Sequence, residues 1–165
     1  MVSGEFQYKE ATTAELAFIW EKNIAGNPGD DRWVFWKLEA IENHRAGRSK
    51  AFVVLRGHEP IGEGTLIFSP EHTAIRGRTA LADGLHVVNV NALRIEKPFE
   101  GKGHVSKLVK VMEQYARDRG FPMITIGVEA RETRNLGIYL HWGYDTFLFS
   151  EMEEDGLVLY YSKKL

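Results

Sequence analysis

The chain has 165 residues, 44% of them hydrophobic, with 21 basic and 23 acidic side chains and a formal net charge of −2. That length and apolar share suffice for one well-buried core, so a single domain over 1–165 is expected, and the near-neutral balance supplies no basic field for a polyanion, which argues against nucleic acid as a partner. With no cysteine, disulfides, thiolate nucleophiles and cysteine metal sites fall away together; His58 and His72 sit in no HExxH or HxH pattern, so no metal is expected.

The start, MVSGEFQYKE, lacks a positive region followed by an apolar one, and no window approaches about 18 apolar residues. A soluble cytoplasmic chain with no membrane partner is the expectation. Thr12-Thr13-Ala14-Glu15 reads as a capped helix start, and the helix runs through Leu16, Ile19 and Trp20 to stop near Gly26. The turn Gly26-Asn27-Pro28-Gly29-Asp30-Asp31 opens a second helix with Val34, Leu38 and Ile41 as its apolar face. Trp33, Phe35 and Trp36 crowd its first turn. Three aromatics in four residues cannot share one helical face, so at least one is left for a ligand, a loop or a partner. Trp33 and Trp36 are the substrate candidates, with plain core as the alternative.

Arg56-Gly57-His58-Glu59-Pro60-Ile61-Gly62 is a hairpin turn, and Ser69 to Leu81, which has no period, is an irregular connection. The strand that follows places Leu85, Val87, Asn89, Asn91, Leu93 and Ile95 on one face and His86, Val88, Val90, Ala92 and Arg94 on the other. Two asparagines in a central strand are costly unless each finds partners. They read either as an internal polar pair or a bulge, or as residues lining an acceptor site.

This strand, expected to end at Pro98, delivers the chain to Glu100-Gly101-Lys102-Gly103-His104-Val105, and a helix from Ser106 to Arg117 puts Val105, Leu108, Val109 and Met112 on one face. Free amides at such a helix start, with the positive end of the macrodipole, suit a pyrophosphate, and glycines let the backbone come close. There is no GxxxxGK[ST] and no third glycine of GxGxxG, so neither the triphosphate nor the dinucleotide fingerprint applies. Met123 to Val128 is continuous enough in β-branched residues for a central parallel strand. Strands Tyr144 to Phe149 and Leu157 to Ser162 close the chain around the acidic turn Glu151 to Gly156, a solvated turn or an acidic lip for a cationic acceptor.

Leu93-Arg94-Ile95-Glu96-Lys97-Pro98-Phe99-Glu100-Gly101-Lys102-Gly103 resembles the acyl-CoA motif of the GNAT superfamily of N-acetyltransferases, a strand ending in V-x-P followed by [RQ]xxGx[GA]. Glu100 stands where that family usually has Arg or Gln, and Val105 where it has Gly or Ala. Glu132 to Tyr144, ETRNLGIYLHWGY, is similar to the family's Nxx[AG]xxLYxxxGF segment, with Glu132 at the asparagine position and Asn135 in the slot of a small residue. From Lys50 to Leu165 the order of segments agrees as well: strands Ala51 to Leu55 and Ile61 to Phe68, the cofactor strand, its helix, strand Met123 to Val128, a short helix and two closing strands. Residues 1–49 agree loosely, as a variable helical part.

The resemblance implies an α/β (α+β) fold, a mixed and mostly antiparallel central sheet whose splayed parallel pair holds acyl-CoA, with helices on both faces. It implies an acyltransferase that moves an acetyl group from acetyl-CoA to a primary amine of a small molecule or peptide by direct attack. Cofactor contacts are then expected at Ala92, Leu93, Arg94 and Ile95, at Gly101, Lys102, Gly103, His104, Val105 and Ser106, and at Asn135. Tyr139 takes the place of the family's general acid, with core packing as the other reading of a helix tyrosine. Asn89, Asn91, Trp33 and Trp36 are expected toward the acceptor. Glu63, His86 and Asp83 are the candidates for the base that takes the amine proton. A homodimer is expected because the family often forms one. The alternative is a non-catalytic acyl-CoA-binding or regulatory protein with the same fold, motivated by Glu100 and Val105.

Overall fold

The computed structural model describes residues 5–165. The elements in chain order are β1 (Phe6–Glu10), α1 (Thr13–Ala25), α2 (Arg32–Ala46), β2 (Ser49–Arg56), β3 (Glu59–Ile67), β4 (Val87–Ile95), a 3₁₀ turn (Lys97–Phe99), α3 (His104–Asp118), β5 (Met123–Glu129), α4 (Thr133–His141), β6 (Thr146–Glu153) and β7 (Gly156–Lys164). The strands form a mixed seven-stranded sheet in the order β1-β2-β3-β4-β5-β7-β6, and β4 with β5 is its one parallel pair. The chain divides into two compact units, one reaching to Leu66 and resuming over Ala92–Met112, the other formed by Ile67–Asn91 and Glu113–Leu165. Both β4 and α3 contribute to each.

In the first unit the N-terminal part is not purely helical. Phe6-Gln7-Tyr8-Lys9-Glu10 alternates as a strand should, and it pairs antiparallel with β2 from Phe6↔Arg56 to Glu10↔Phe52. The capping box on α1 is as expected: Thr12 Oγ1 accepts from Glu15 N at 3.1 Å, and Glu15 Oε1 accepts from Thr12 N at 2.9 Å. Leu16 and Trp20 then pack with Ala51, while Ile19 packs with Val53 and Leu55. The face of α2 differs from the expectation. Val34 and Leu38 are exposed, and Trp33, Trp36, Ala40 and Ile41 pack against the core instead. Two indoles bury more apolar area than a Val and a Leu, so they set the rotation of the helix. Phe35 is the aromatic left over, at 60% exposure.

Gly62 and Gly64, the first of them read as part of the turn, lie within β3. A Cβ at Gly62 would come within 2.7 Å of Ile95 Cδ1 and 3.0 Å of Arg94 O, and one at Gly64 within 2.9 Å of Leu93 Cδ2 and 2.8 Å of Met112 Sδ. The absent side chains are therefore what lets the end of β4 lie close.

In the second unit β5 pairs with β4 over Val87↔Met123 to Val90↔Ile126 and with β7 over its whole length. Ile67, Ile75, Leu81, Ala82 and Tyr160 form one core cluster there. The acidic segment is less a turn than expected, since Glu151 and Glu153 belong to β6. They meet Arg76 and Arg78 from the irregular connection, with Arg78 Nη1 donating to Glu153 Oε2 at 3.1 Å.

Candidate functional site

The glycine turn is built as the sequence suggests, with its borders shifted. β4 stops at Ile95, Lys97–Phe99 turn as a 3₁₀ segment because Pro98 cannot continue the ladder, and α3 starts at His104, two residues early. Gly101 and Gly103 have φ of 73° and 84°, and a Cβ at either would meet nothing within 4 Å. The glycines are there for conformation and leave open space beside the backbone. Among the described residues, the amides of Gly101 to Ser106 find no backbone carbonyl; the first that does is Lys107 N, which donates to Gly103 O at 3.1 Å. Six N–H groups at the positive end of a 15-residue helix are thus open to an anion.

His104 serves this turn through its backbone. Its ring is buried, shares a 2.8 Å hydrogen bond between Nδ1 and Tyr8 Oη, and packs on Phe6 with centroids 4.4 Å apart. Burial, then the charges of Lys107 and Lys102, hold its pKa below the ordinary histidine value, so the ring is neutral at pH 7. The ring thereby anchors the start of α3, while the backbone N–H of His104 remains among the open amides of the turn. Lys102 is exposed, Val105 and Ser106 half-buried.

At Ala92, immediately before Leu93, the side-chain alternation of β4 breaks. Ala92 has φ 55°, a left-handed conformation that costs an L-residue about 1–2 kcal/mol. Asn89 and Asn91 therefore have different fates from those of a regular strand. Asn89 is buried and donates to Thr125 Oγ1 at 3.0 Å, the internal polar pair; Asn91 is exposed.

Beyond the break, Arg94 joins residues of α1, α2 and β3. Its Nη1 donates to Glu63 Oε2 at 2.9 Å, and Asn23 Nδ2 donates to the same oxygen at 2.8 Å. The guanidinium carbon lies 5.4 Å from the Trp20 ring centre and 5.1 Å from that of Trp33, and Trp33 in turn meets Trp36 edge-on at 5.2 Å. Glu63 is thus a buried carboxylate committed to two donors rather than an open base. Asp83 is committed too: its Oδ1 accepts the amides of Leu85, His86 and Val87 at 2.7–2.9 Å. Although partial burial opposes it, these bonds and the nearby His86 hold its carboxyl below the usual range. His86 is exposed, 3.6 Å from Asp83.

In the second unit α4 carries Tyr139, whose ring lies 5.6 Å from that of Trp142. Burial first, then the charge of Glu132, pushes its phenol up to about 12. Among the described residues nothing hydrogen-bonds its hydroxyl, which is nonetheless not sealed off from solvent. The end of α4 is held firmly: Tyr144 N donates to Tyr139 O at 3.0 Å, Tyr144 Oη to Glu113 Oε2 at 2.8 Å, and Lys163 Nζ to both Glu113 and the Trp142 carbonyl. Asn135 donates to Glu132 Oε2 at 2.9 Å.

A family model described as the acetyltransferase (GNAT) family matches residues 10–144. The chain belongs to the GNAT acetyltransferase family. No curated protein matches it by sequence. Solved structures match its fold: RimL, a ribosomal L7/L12 α-N-protein acetyltransferase in complex with coenzyme A, has a TM-score of 0.68 at 11% identity, covering 100% of this chain and 97% of its own. An N-acetyltransferase from Staphylococcus aureus Mu50 has 0.70 at 14%, covering 96% and 98%. A ribosomal-protein-alanine N-acetyltransferase from Brucella melitensis has 0.69 at 15%, covering 96% and 99%.

Several residues that support the candidate site in this GNAT chain carry little local signal in the sequence. Tyr8 was missed because a five-residue strand near a terminus has little pattern to show, though its alternation was there. Trp20 read as helix core, and nothing in the spacing linked it to Arg94, 74 positions later in the numbering. Glu113 and Lys163 had no local signal, since each is polar only against a distant partner.

Proposed function

We propose that this GNAT protein transfers an acetyl group from acetyl-CoA to a primary amine of a small molecule or peptide by direct attack. The observation that carries the reading is the unoccupied hydrogen-bonding capacity at Gly101 to Ser106: six consecutive amides without a backbone acceptor, on a turn where a Cβ would meet nothing. These amides would hold the pyrophosphate of the cosubstrate, with Lys102 beside it. The backbone of Ala92, Leu93, Arg94 and Ile95, past the last β4–β5 pair at Val90, would hydrogen-bond the pantetheine amides. The left-handed Ala92 supports this, since strain of that kind is kept where a site demands it. Asn135 keeps its carbonyl for a further cofactor contact.

The chemistry asks three things of the chain. The attacking amine has to lose a proton. Glu63 and Asp83 are both engaged, which leaves His86 or solvent to receive it. The amine nitrogen then forms a bond to the thioester carbonyl carbon, and strand amides stabilise the oxyanion. The C–S bond breaks as the intermediate collapses, and the Tyr139 hydroxyl donates to the departing sulfur. A phenol pushed up to about 12 stays protonated at neutral pH and donates a hydrogen bond more readily than it gives up the proton to a thiolate of pKa about 8.5.

A second reading is kept by one residue. Glu100 is exposed beside the anion turn, and a negative charge there suits a weak acyl-CoA binder that performs no transfer. Calorimetric titration with acetyl-CoA, followed by thiol release across a panel of amines, decides between them. Binding with amine-dependent release of CoA supports transfer; binding without release from any amine supports the alternative; absence of binding overturns both.

A further inference from the structure

The geometry points to a carboxylate subsite on the acceptor: we propose that the Arg94 guanidinium, seated on Trp20 and Trp33 and held by Glu63, selects amines that carry a carboxylate. The inference rests on the transferase reading above and adds the class of its acceptor.

A buried carboxylate such as Glu63 needs donors, and it has two, from Asn23 at 2.8 Å and Arg94 at 2.9 Å. Neutralising Glu63 takes only one N–H of a group that owns five. Among the described residues the guanidinium makes no other hydrogen bond, and its remaining nitrogens are not buried. The side chain is 35% exposed, against 4% for Glu63. Its surroundings make that arrangement effective. The indoles of Trp20 and Trp33, 5.4 Å and 5.1 Å away, strip water from the cation without offering it an acceptor. A guanidinium is weakly hydrated and tolerates this, whereas an ammonium would not. The result is a fork whose position is set on one side by a fixed carboxylate and on another by two rings, with donors left over that match a second, planar anion.

A purely structural pair would predict something else. It would leave the head group in open water, as Arg131 does at 72% exposure, or spend the remaining donors on carbonyls and bury the head group, as Arg78 does. That residue donates to Ile75 O, Ala74 O, Glu153 and Tyr160. The contrast between the two arginines separates a fastened cation from a presented one.

The test uses the full chain and two variants, Arg94→Gln and Arg94→Lys, the second keeping a cation beside Glu63 should the first fold poorly. In the binding arm, tryptophan fluorescence is followed on titration with N-acetyl-L-alanine, N-acetyl-L-leucine and N-acetyl-L-methionine and with their carboxamides. A saturable response to an acid and not to its carboxamide, weakened about tenfold or more in the variants, is the expected result. No saturable response, equal response to acid and carboxamide, or a response kept in both variants overturns the proposal. In the turnover arm, kcat/KM is compared for L-alanine, L-methionine and the dipeptide Ser-Ala against their carboxamides. A preference for the free acid of about tenfold or more, collapsing toward one in Arg94→Gln with partial return in Arg94→Lys, supports it. Absence of turnover with every amine would overturn the transferase reading alone, since the fluorescence arm needs no chemistry.

Discussion

Replacing Gly103 separates two roles that one residue fills. Its φ of 84° and the empty space around a would-be Cβ mean that any side chain costs conformation without a clash, about 1–2 kcal/mol of stability. Asn, which tolerates the left-handed region, lies at the low end of that range. Gly103→Asn and Gly103→Asp thus share shape and backbone cost and differ by one charge. For a carboxylate about 6 Å from a doubly charged pyrophosphate in water-like dielectric, the repulsion is on the order of 1.4 kcal/mol, a tenfold loss of affinity. Calorimetry with acetyl-CoA at low and moderate salt reads the difference. Gly103→Asp should bind about tenfold more weakly than Gly103→Asn, with the gap narrowing as salt screens the charge. Equal affinities for the two folded variants would refute the placement of the pyrophosphate at this turn.

Two further outcomes follow from the same groups. Tyr139→Phe should lower kcat by roughly 10²-fold and leave acetyl-CoA affinity nearly intact; because the folded phenol titrates near 12, the wild-type rate should show no alkaline loss below about pH 10 from this residue, and a full kcat in the variant would leave it as packing. Glu100→Gln should tighten acetyl-CoA several-fold by removing a negative charge beside the turn, on the order of 0.5–1 kcal/mol for an exposed group, and unchanged affinity by calorimetry would show that the carboxylate points away from the cosubstrate.

Much of this fold was legible in the sequence because it is local. The capping box at Thr12, the β-branched run of β5 and the glycine turn each announce themselves within a few residues, and each stands where the pattern puts it. What escaped depends on competition between distant groups. The face of α2 could be read as Val34, Leu38 and Ile41 or as Trp33, Trp36 and Ile41, and the outcome turns on what lies opposite: Trp20 and Arg94 favour the indoles. The alternation of β4 fails at Ala92 because a left-handed alanine has no sequence signature. Nothing near His104 announces that its ring pairs with Tyr8, 96 residues away.

The two halves of the proposed chemistry draw on different parts of the chain's vocabulary. On the proposed cofactor side the work would fall to backbone amides, and amides survive substitution of their own side chains. Glu100 and Val105 could then depart from the family pattern without loss of those contacts, and the neutral ring of His104 could serve as an anchor. On the proposed acceptor side the work would fall to side chains from α1, α2 and the end of β4, where one exchange would alter what is recognised. Arg94 is the clearest case: with Lys there the indole platform would hold a more strongly hydrated point charge, and with Gln no charge at all. The identity of the amine would therefore be set by these side chains rather than by the glycine turn.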